Sequence, residues 1–194
     1  MTTVAGLATR QRLLAAAREL IEEDGYASAS VAAITDRAGV ASGTVYRHFA
    51  SKADLFLEVF RAVCAGEQRA MRTAADGAGP GAVDRLEAVL TTFARRALQN
   101  RSLAWALLAE PVDPVVDAER LAYRERYASL VATELSAAVD AGEIPAQDVA
   151  FTAAALVGGC GEALVGPLSA DDASAEDVVG SLRAFVRRAI GAPA

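Results

Sequence analysis

The sequence is poor in the residues that most often carry catalysis and metal binding. Its 194 residues include one histidine, two cysteines and one tryptophan, and aromatic residues make up 6% of the chain. Cys64 and Cys160 lie far apart in apolar stretches, and with one histidine they are too few for an ordinary zinc site. No nucleophile is paired with a general base in a recognisable motif. The sequence therefore predicts a protein that is not an enzyme and has no metal or cofactor.

Long hydrophobic runs and a secretory signal are also missing. No apolar run reaches the roughly 18 residues that cross a membrane, and residues 1–8 have neither a charged start nor an apolar core. We therefore expect no membrane association and a cytoplasmic location, with residues 1–8 as a flexible N-terminus. The hydrophobic fraction of 53% is ample for a packed core.

Positive charge is scarce, but its distribution is uneven. The formal net charge is −6, although the seven basic and seven acidic residues up to Arg61 cancel, so the whole deficit lies beyond that residue. The segment Ser30–Lys52 holds three basic residues, Arg37, Arg47 and the only lysine Lys52, against Asp36 alone, and it also holds the only histidine of the chain. Attraction to phosphate is local and screened within about 10 Å. An acidic body is therefore compatible with a basic tip.

Helical periodicity runs through the whole chain, and no stretch shows convincing strand alternation. The sequence predicts an all-α fold of about nine helices. Near the N-terminus, Gly25 is expected to end the first helix, and Ser30 and Gly39 to bound a short second one. Ser42 is expected to cap another short helix, and Ser51 a long one that follows it.

A linker of glycine and proline at Asp76–Gly81 separates this head from a larger helical body. Within the body the helix at about Pro145–Val165 is nearly apolar around its circumference, so we expect it to be buried on all sides. Its Gly158–Gly161 cluster lacks the lysine and the preceding strand of a phosphate loop, and indicates close helix packing instead. The other body helices are predicted at Val83–Asn100, Leu103–Ala109, about Val115–Ala141 and about Ala175–Ile190.

The two short helices around Gly39 have the layout of a helix-turn-helix, whose second helix contacts DNA. Gly43 would let that helix approach the groove closely, and the guanidinium of Arg47 could meet O6 and N7 of a guanine together. Lys52, in the first turn of the next helix, is placed for a phosphate. The full set of predicted DNA contacts is Ser30, Arg37, Ser42, Gly43, Thr44, Tyr46, Arg47, His48 and Lys52.

Residues 9–61 closely resemble the DNA-binding head of TetR-type transcriptional regulators. The resemblance is carried by Gly25-Tyr26, Val31-Ala32-Ala33-Ile34, Arg37-Ala38-Gly39-Val40, Ser42-Gly43-Thr44-Val45-Tyr46-Arg47-His48-Phe49 and Ser51-Lys52-Ala53-Asp54-Leu55. Two positions depart from the family pattern. Ala29 replaces a usual hydroxyl, so Ser30 and Ser28 are expected to supply that phosphate contact. Thr35 replaces a usual alanine and is expected either to add a small packing load or to bond back to the carbonyl of Val31.

The resemblance implies a DNA-binding domain at 9–56 and a helical ligand-binding and dimerisation domain at 57–194. It further implies a homodimer that binds a palindromic double-stranded DNA operator, is released by a small-molecule effector and acts by default as a repressor. For the effector pocket the candidate residues are Phe93, Trp105, Leu108, Arg120, Tyr123, Arg124, Tyr127 and Glu162. For the dimer interface, formed in the family by the last two helices, they are Ala155, Gly158, Gly159 and Phe185.

Two alternatives remain open from the sequence. The apolar pocket candidates fit plain core packing as well as ligand binding, and Arg120 and Arg124 favour an anionic ligand only if they face inward. The alternative function is a helical small-molecule-binding or interaction protein with a degenerate DNA-binding head.

Overall fold

The computed structural model describes residues 4–170 and 174–193 of the chain. Its elements are α1 (Val4–Ser28), α2 (Val31–Arg37), a 3₁₀ helix η1 (Ser42–Arg47), α3 (Lys52–Asp76), α4 (Ala82–Gln99), α5 (Arg101–Leu108), α6 (Pro114–Asp140), α7 (Val149–Ser169) and α8 (Ala175–Ile190). The described residues contain no strand, which confirms the prediction of an all-α fold. The gap between α3 and α4 coincides with the predicted linker.

The described residues form two compact units. Unit 1 contains the residues up to Val63 together with Asn100–Glu119, and unit 2 contains Cys64–Gln99 and the residues from Arg120 onward. The segment Asn100–Glu119, which the sequence assigned to the body, thus packs with the N-terminal head.

The first helix of unit 1 begins earlier than the sequence suggested. Residues 4–8, expected to be flexible, are part of α1, while residues 1–3 lie outside the described residues. Gly25 interrupts the helix with φ 82° and ψ 177°. A positive φ of this size favours glycine, so the predicted helix break at Gly25 is confirmed.

The core of the head is built from α1, α2 and η1, which pack on one another in that order. Ile34, Val45 and Phe49 are 1%, 0% and 4% exposed. Full burial of such side chains contributes about 2 kcal/mol each. The hydroxyl of Ser30 accepts a hydrogen bond from the Ala33 amide at 3.1 Å, which confirms Ser30 as the N-cap of α2.

Two local predictions in the head are wrong. Ser42 does not cap η1; it lies inside the helix, Ala41 precedes it, and the Thr44 amide donates to the Ala41 carbonyl at 2.8 Å. The tighter i to i+3 bonding of a 3₁₀ helix thus starts without a side-chain cap. The hydroxyl of Thr35 donates to the carbonyl of Ala32 at 3.0 Å and not to that of Val31, because a helical threonine hydroxyl reaches either the i−3 or the i−4 carbonyl.

A carboxylate from the α5–α6 connection holds the chain just after the Gly25 break. Glu110 accepts hydrogen bonds from the amides of Tyr26 and Ala27, at 2.9 and 3.0 Å. A Cβ on Gly25 would lie 3.3 Å from the Glu110 carboxylate, so the glycine also leaves room for this contact. Glu110 therefore satisfies two amides that the broken helix leaves without helical partners.

Tyr26 anchors the same connection through its side chain. Its ring packs against Phe56 with centroids 4.3 Å apart, and its hydroxyl donates to the Asp113 carboxylate at 2.7 Å. Burial, together with this bond to Asp113, raises the pKa of Tyr26. The hydroxyl therefore stays protonated and remains a donor across the physiological pH range.

Unit 2 is a bundle in which α4 packs on α7 and α8. The buried carboxylate of Glu87 on α4 accepts from Arg187 of α8 at 2.6 Å and lies 3.3 Å from Arg183. Glu143, in the α6–α7 connection, accepts from the amides of Ala82 and Val83 at 2.9 Å each and so caps α4. These hydrogen bonds lower the pKa of Glu143.

Helix α7 is not buried on all sides within the chain, contrary to the prediction. It begins at Val149, after the N-cap Asp148, and not at Pro145. One face packs in the bundle, while the other carries small exposed residues and Phe151, which is 73% exposed. The expectation that no apolar stretch reaches membrane-spanning length is wrong for α7, which is long and apolar enough to cross a membrane by length and composition alone. The mean hydropathy is 1.6, and 22% of its most apolar window is buried.

The Glu110 contact yields a stability prediction. We expect Glu110→Gln to lower the free energy of unfolding by about 1 to 2 kcal/mol, because the amide side chain offers one acceptor oxygen where the carboxylate offers two charged ones. Urea denaturation followed by circular dichroism at fixed protein concentration measures the change. The exposed Glu125→Gln on α6 is the control. Equal stability of the two variants would contradict the role given to Glu110.

Candidate DNA-binding interface

The outward face of η1, together with the next residue His48, presents polar side chains that have no partner among the residues that the structure describes. Tyr46 is 62% exposed, Ser42 and Arg47 are exposed, and Thr44 and His48 are half-buried. Within the described part of the chain these five side chains make no hydrogen bond or ion pair. Buried Val45 fixes η1 from below, so its polar face points away from the core. Such a face can form hydrogen bonds with another molecule without first breaking bonds of its own.

Gly43 lies on the same exposed face. A Cβ built at this position would meet no atom of the protein within 4 Å, and its backbone φ is not positive. Neither packing nor backbone conformation within the chain therefore requires glycine here. A glycine at this position is consistent with close approach by a partner surface, such as the edge of a DNA groove.

Ser30 and Arg37, also predicted as DNA contacts, are engaged within the head. The Ser30 hydroxyl caps α2, and the Arg37 guanidinium forms two hydrogen bonds with Glu23, at 2.9 and 2.7 Å. Arg37 also lies 3.5 Å from Glu19. The hydrogen bonds from Arg37 lower the pKa of Glu23, so this carboxylate stays ionised and offsets the arginine charge. Ser28, expected to help replace the missing hydroxyl at Ala29, donates to the Gly25 carbonyl at 2.8 Å.

Lys52 lies against Tyr26. Its ammonium donates to the Tyr26 carbonyl at 3.0 Å and sits 4.1 Å from the centre of the Tyr26 ring. Burial lowers the pKa of Lys52, and the nearby carboxylates of Asp113 and Glu110 act in the opposite direction. A phosphate contact by Lys52, which stays a prediction, requires the ammonium to share or exchange these partners.

Two arginines of α1 contact the helix-turn-helix and were missed at the sequence level. Arg10 pairs with Glu58 and lies 5.0 Å from the centre of the Phe49 ring. Arg12 donates to the backbone carbonyls of Ala38 and Gly39. No local pattern indicates these contacts, because both arginines bind residues at least 26 positions away in the chain.

The predicted pocket residues are spread over both units. Trp105 and Leu108 belong to unit 1, and the other six to unit 2. In unit 2 the rings of Phe93 and Tyr127 are 5.7 Å apart, and the buried Tyr127 hydroxyl donates to the Cys64 carbonyl at 3.4 Å. Tyr123 is buried, Arg120 is half-buried, and Arg124 and Glu162 are exposed. Their role in ligand binding stays a prediction.

Unit 2 also has an open polar cleft of about 480 Å³ that contains none of the predicted pocket residues. It is lined by Ala74, Gly77, Ala78, Asp84, Glu87, Ala88, Thr91, Thr92, Arg95 and Arg183. The buried carboxylate in this cleft, that of Glu87, already forms ion pairs with Arg187 and Arg183.

The residues predicted for a dimer interface lie on α7 and α8. Ala155 and Gly158 are exposed, and Phe185 is 42% exposed. Gly159 is half-buried, and a Cβ built on it would lie in ordinary van der Waals contact with the Phe185 ring, at 3.6 Å, so α7 and α8 meet at this position. With Phe151, these residues form an exposed apolar surface, which we name the α7–α8 face.

Comparison with known proteins bears on both parts of the chain. Residues 13–59 match the family model for bacterial regulatory proteins of the tetR family, and residues 79–164 match a tetracyclin repressor-like C-terminal domain. The first match contains α2, η1 and the start of α3, and thus the whole exposed polar face.

Curated relatives are transcriptional regulators. The regulator UidR of Escherichia coli K12 is 31% identical over 152 residues, which span 77% of this chain and 76% of UidR. The transcriptional activator FasR of Mycolicibacterium smegmatis is 39% identical over 71 residues, which span 34% of this chain but only 32% of FasR.

Solved structures share the fold across nearly the full chain. The regulator FadR of Bacillus subtilis, in complex with stearoyl-CoA, superposes with a TM-score of 0.79 at 21% identity, over 95% of this chain and 99% of that one. The fatty acid degradation regulator FadR of Bacillus halodurans gives 0.79 at 19% identity, over 92% and 94% of the two chains. Together with the free polar face of η1 and the match to UidR, the family models show that the chain belongs to the TetR family and is a DNA-binding transcriptional regulator.

Proposed function

We propose that this regulator is a cytoplasmic homodimeric repressor that binds a palindromic operator and is released by a small-molecule effector. The observation that carries the DNA-reading part is the face of η1, where five polar side chains lack internal partners among the described residues. Base edges and phosphates supply the hydrogen-bond partners that such side chains lack. A degenerate head, the alternative function, has no need to keep this face polar and open.

The α7–α8 face supports the homodimer. An exposed Phe151 and Phe185 beside small residues is an unusual surface for a monomer, since contiguous apolar patches mark interaction sites. The same small residues permit close packing of helices from a second copy around a two-fold axis. One η1 reads few base pairs, and a dimer doubles the site into a palindrome.

An effector of the acyl-CoA class is the first candidate. FadR of Bacillus subtilis, which shares the fold, binds stearoyl-CoA. The aromatic cluster of Phe93, Tyr123 and Tyr127 supplies an apolar lining in unit 2 for a long chain. Repression follows from occupancy of the operator, and release follows if the effector prefers a conformation that fits DNA less well.

Operator selection tests the DNA-binding assignment residue by residue. A duplex library selected with the wild-type protein should yield a palindrome. We expect Arg47→Ala to relax the preference at one position of each half-site, a loss of about 1 to 3 kcal/mol of discrimination. Lys52→Ala is expected to weaken binding to all sequences alike. Equal effects of the two substitutions on selected and random duplexes would refute the assignment of Arg47, and recovery of no sequence would refute specific DNA binding.

The dimer proposal predicts a change of mass. Phe151→Glu should place charges of the same sign on both sides of the two-fold axis and give a monomer in sedimentation velocity. We expect operator affinity to fall at least about tenfold, because the two heads are no longer linked. Leu121→Glu is the control, since Leu121 is 59% exposed on α6 and lies outside the α7–α8 face. A dimer in both variants would place the interface elsewhere.

Stearoyl-CoA displacement tests the effector proposal. We expect micromolar stearoyl-CoA to release the selected duplex, monitored by fluorescence anisotropy, whereas free coenzyme A does not, because the acyl chain supplies most of the apolar contact. An unchanged anisotropy with acyl-CoAs of several chain lengths would exclude this effector class and leave DNA binding unaffected.

A further inference from the structure

The turn after α2 is closed by its own backbone, because the amides of Gly39 and Val40 donate to the carbonyls of Asp36 and Thr35, at 3.0 Å each. The carbonyls of Ala38 and Gly39, which follow α2, accept no backbone hydrogen bond among the described residues. The C-terminal cation of α2, Arg37, is turned to Glu23. At the other side of the turn Ala41 precedes η1 without any side-chain cap.

Arg12 of α1 supplies donors for the carbonyls of Ala38 and Gly39. One terminal nitrogen of its guanidinium donates to the carbonyl of Ala38 and, at 3.1 Å, to that of Gly39. A cation at this end of a helix is also favoured by the helix dipole. The turn residue Gly39 has φ 61°, and a Cβ there would lie 3.2 Å from the same Arg12 nitrogen. Glycine thus provides the left-handed turn and admits the guanidinium.

We propose that Arg12 is a positioning residue for DNA recognition, which holds the α2–η1 turn so that η1 enters the groove at a fixed angle. The inference rests on the DNA-binding function described above. Arg12 acts through the two carbonyls of the turn and hence through the exposed side chains of η1. Its loss allows the turn to move, so contacts with base edges, which need exact alignment, weaken more than contacts with phosphates.

A direct phosphate contact is the competing role, because Arg12 is exposed. The two roles differ in what they change. A lost phosphate contact weakens binding to every sequence and makes the dependence of log Kd on log salt shallower by about 0.9. A lost positioning contact weakens binding to the preferred sequence and leaves this slope unchanged.

The test uses the full-length protein and two duplexes, one selected from a random library by the wild type and one of random sequence. Dissociation constants are measured over a series of salt concentrations. We expect Arg12→Gln to weaken binding to the selected duplex about tenfold, in line with the loss of charge-assisted hydrogen bonds, with little change on the random duplex. Arg18→Gln is the matched control, because it removes the same charge from the same helix. Among the described residues, Arg18 donates to Glu22, at 2.7 Å, and not to the α2–η1 turn.

Arg12→Lys keeps the charge but replaces the planar fork with a shorter-reaching point charge. We expect wild-type affinity for the random duplex and a specificity ratio between those of the wild type and Arg12→Gln. Circular dichroism at the assay temperature verifies folding, and Arg12→Lys decides the question if Arg12→Gln is unfolded. Two outcomes would overturn the proposal. One is a wild-type specificity ratio in the folded variants, and the other is an equal loss of affinity for both duplexes with a shallower dependence of log Kd on log salt. Failure of the wild type to select any duplex would count against the DNA-binding function instead.

Discussion

A helix of six residues has almost no stability of its own in water, and the head is organised around this constraint. The 3₁₀ helix η1 needs its shape imposed by neighbours, because its residues must lie on an exposed surface and most of them cannot join the core. Val45 anchors it from below and Phe49 closes its end. The flanking turns are held by groups distant in sequence, among them Arg12 of α1. The segment predicted to contact DNA therefore depends on other parts of the head for its shape.

Features that depend on neighbouring residues were predictable from the sequence. Ser30 caps α2, Gly25 breaks α1 and the linker follows α3, because caps and breaks are decided by interactions within a few residues. The prediction that Ser42 caps a helix was also wrong for a local reason. The sequence does not distinguish a short α-helix from a 3₁₀ helix, whose first hydrogen bond comes from the backbone. The open face of α7 could not be inferred from its apolar composition, since composition does not say which faces the chain itself covers.

The partners of charged side chains were not predictable. Three cations in or near the helix-turn-helix have different partners. Arg37 binds carboxylates, Lys52 binds a carbonyl beside an aromatic ring, and Arg12 binds the turn itself. These contacts join residues far apart in the chain and depend on how the helices cross. Glu110 is a clear example, because nothing near it in the sequence indicates that it binds amides more than eighty residues away.

At the polar face of η1, the side chains available to bind DNA are different from those that stabilise the fold. Since Ser42, Tyr46 and Arg47 are exposed and make no internal hydrogen bond or ion pair among the described residues, substitutions at these three positions remove no such bond from the head. Arg12 and Glu110, by contrast, bind backbone carbonyls and amides of the head. A regulator built in this way can acquire a new operator by changing a few surface side chains, and it can do so without losing the folding stability that its other parts provide.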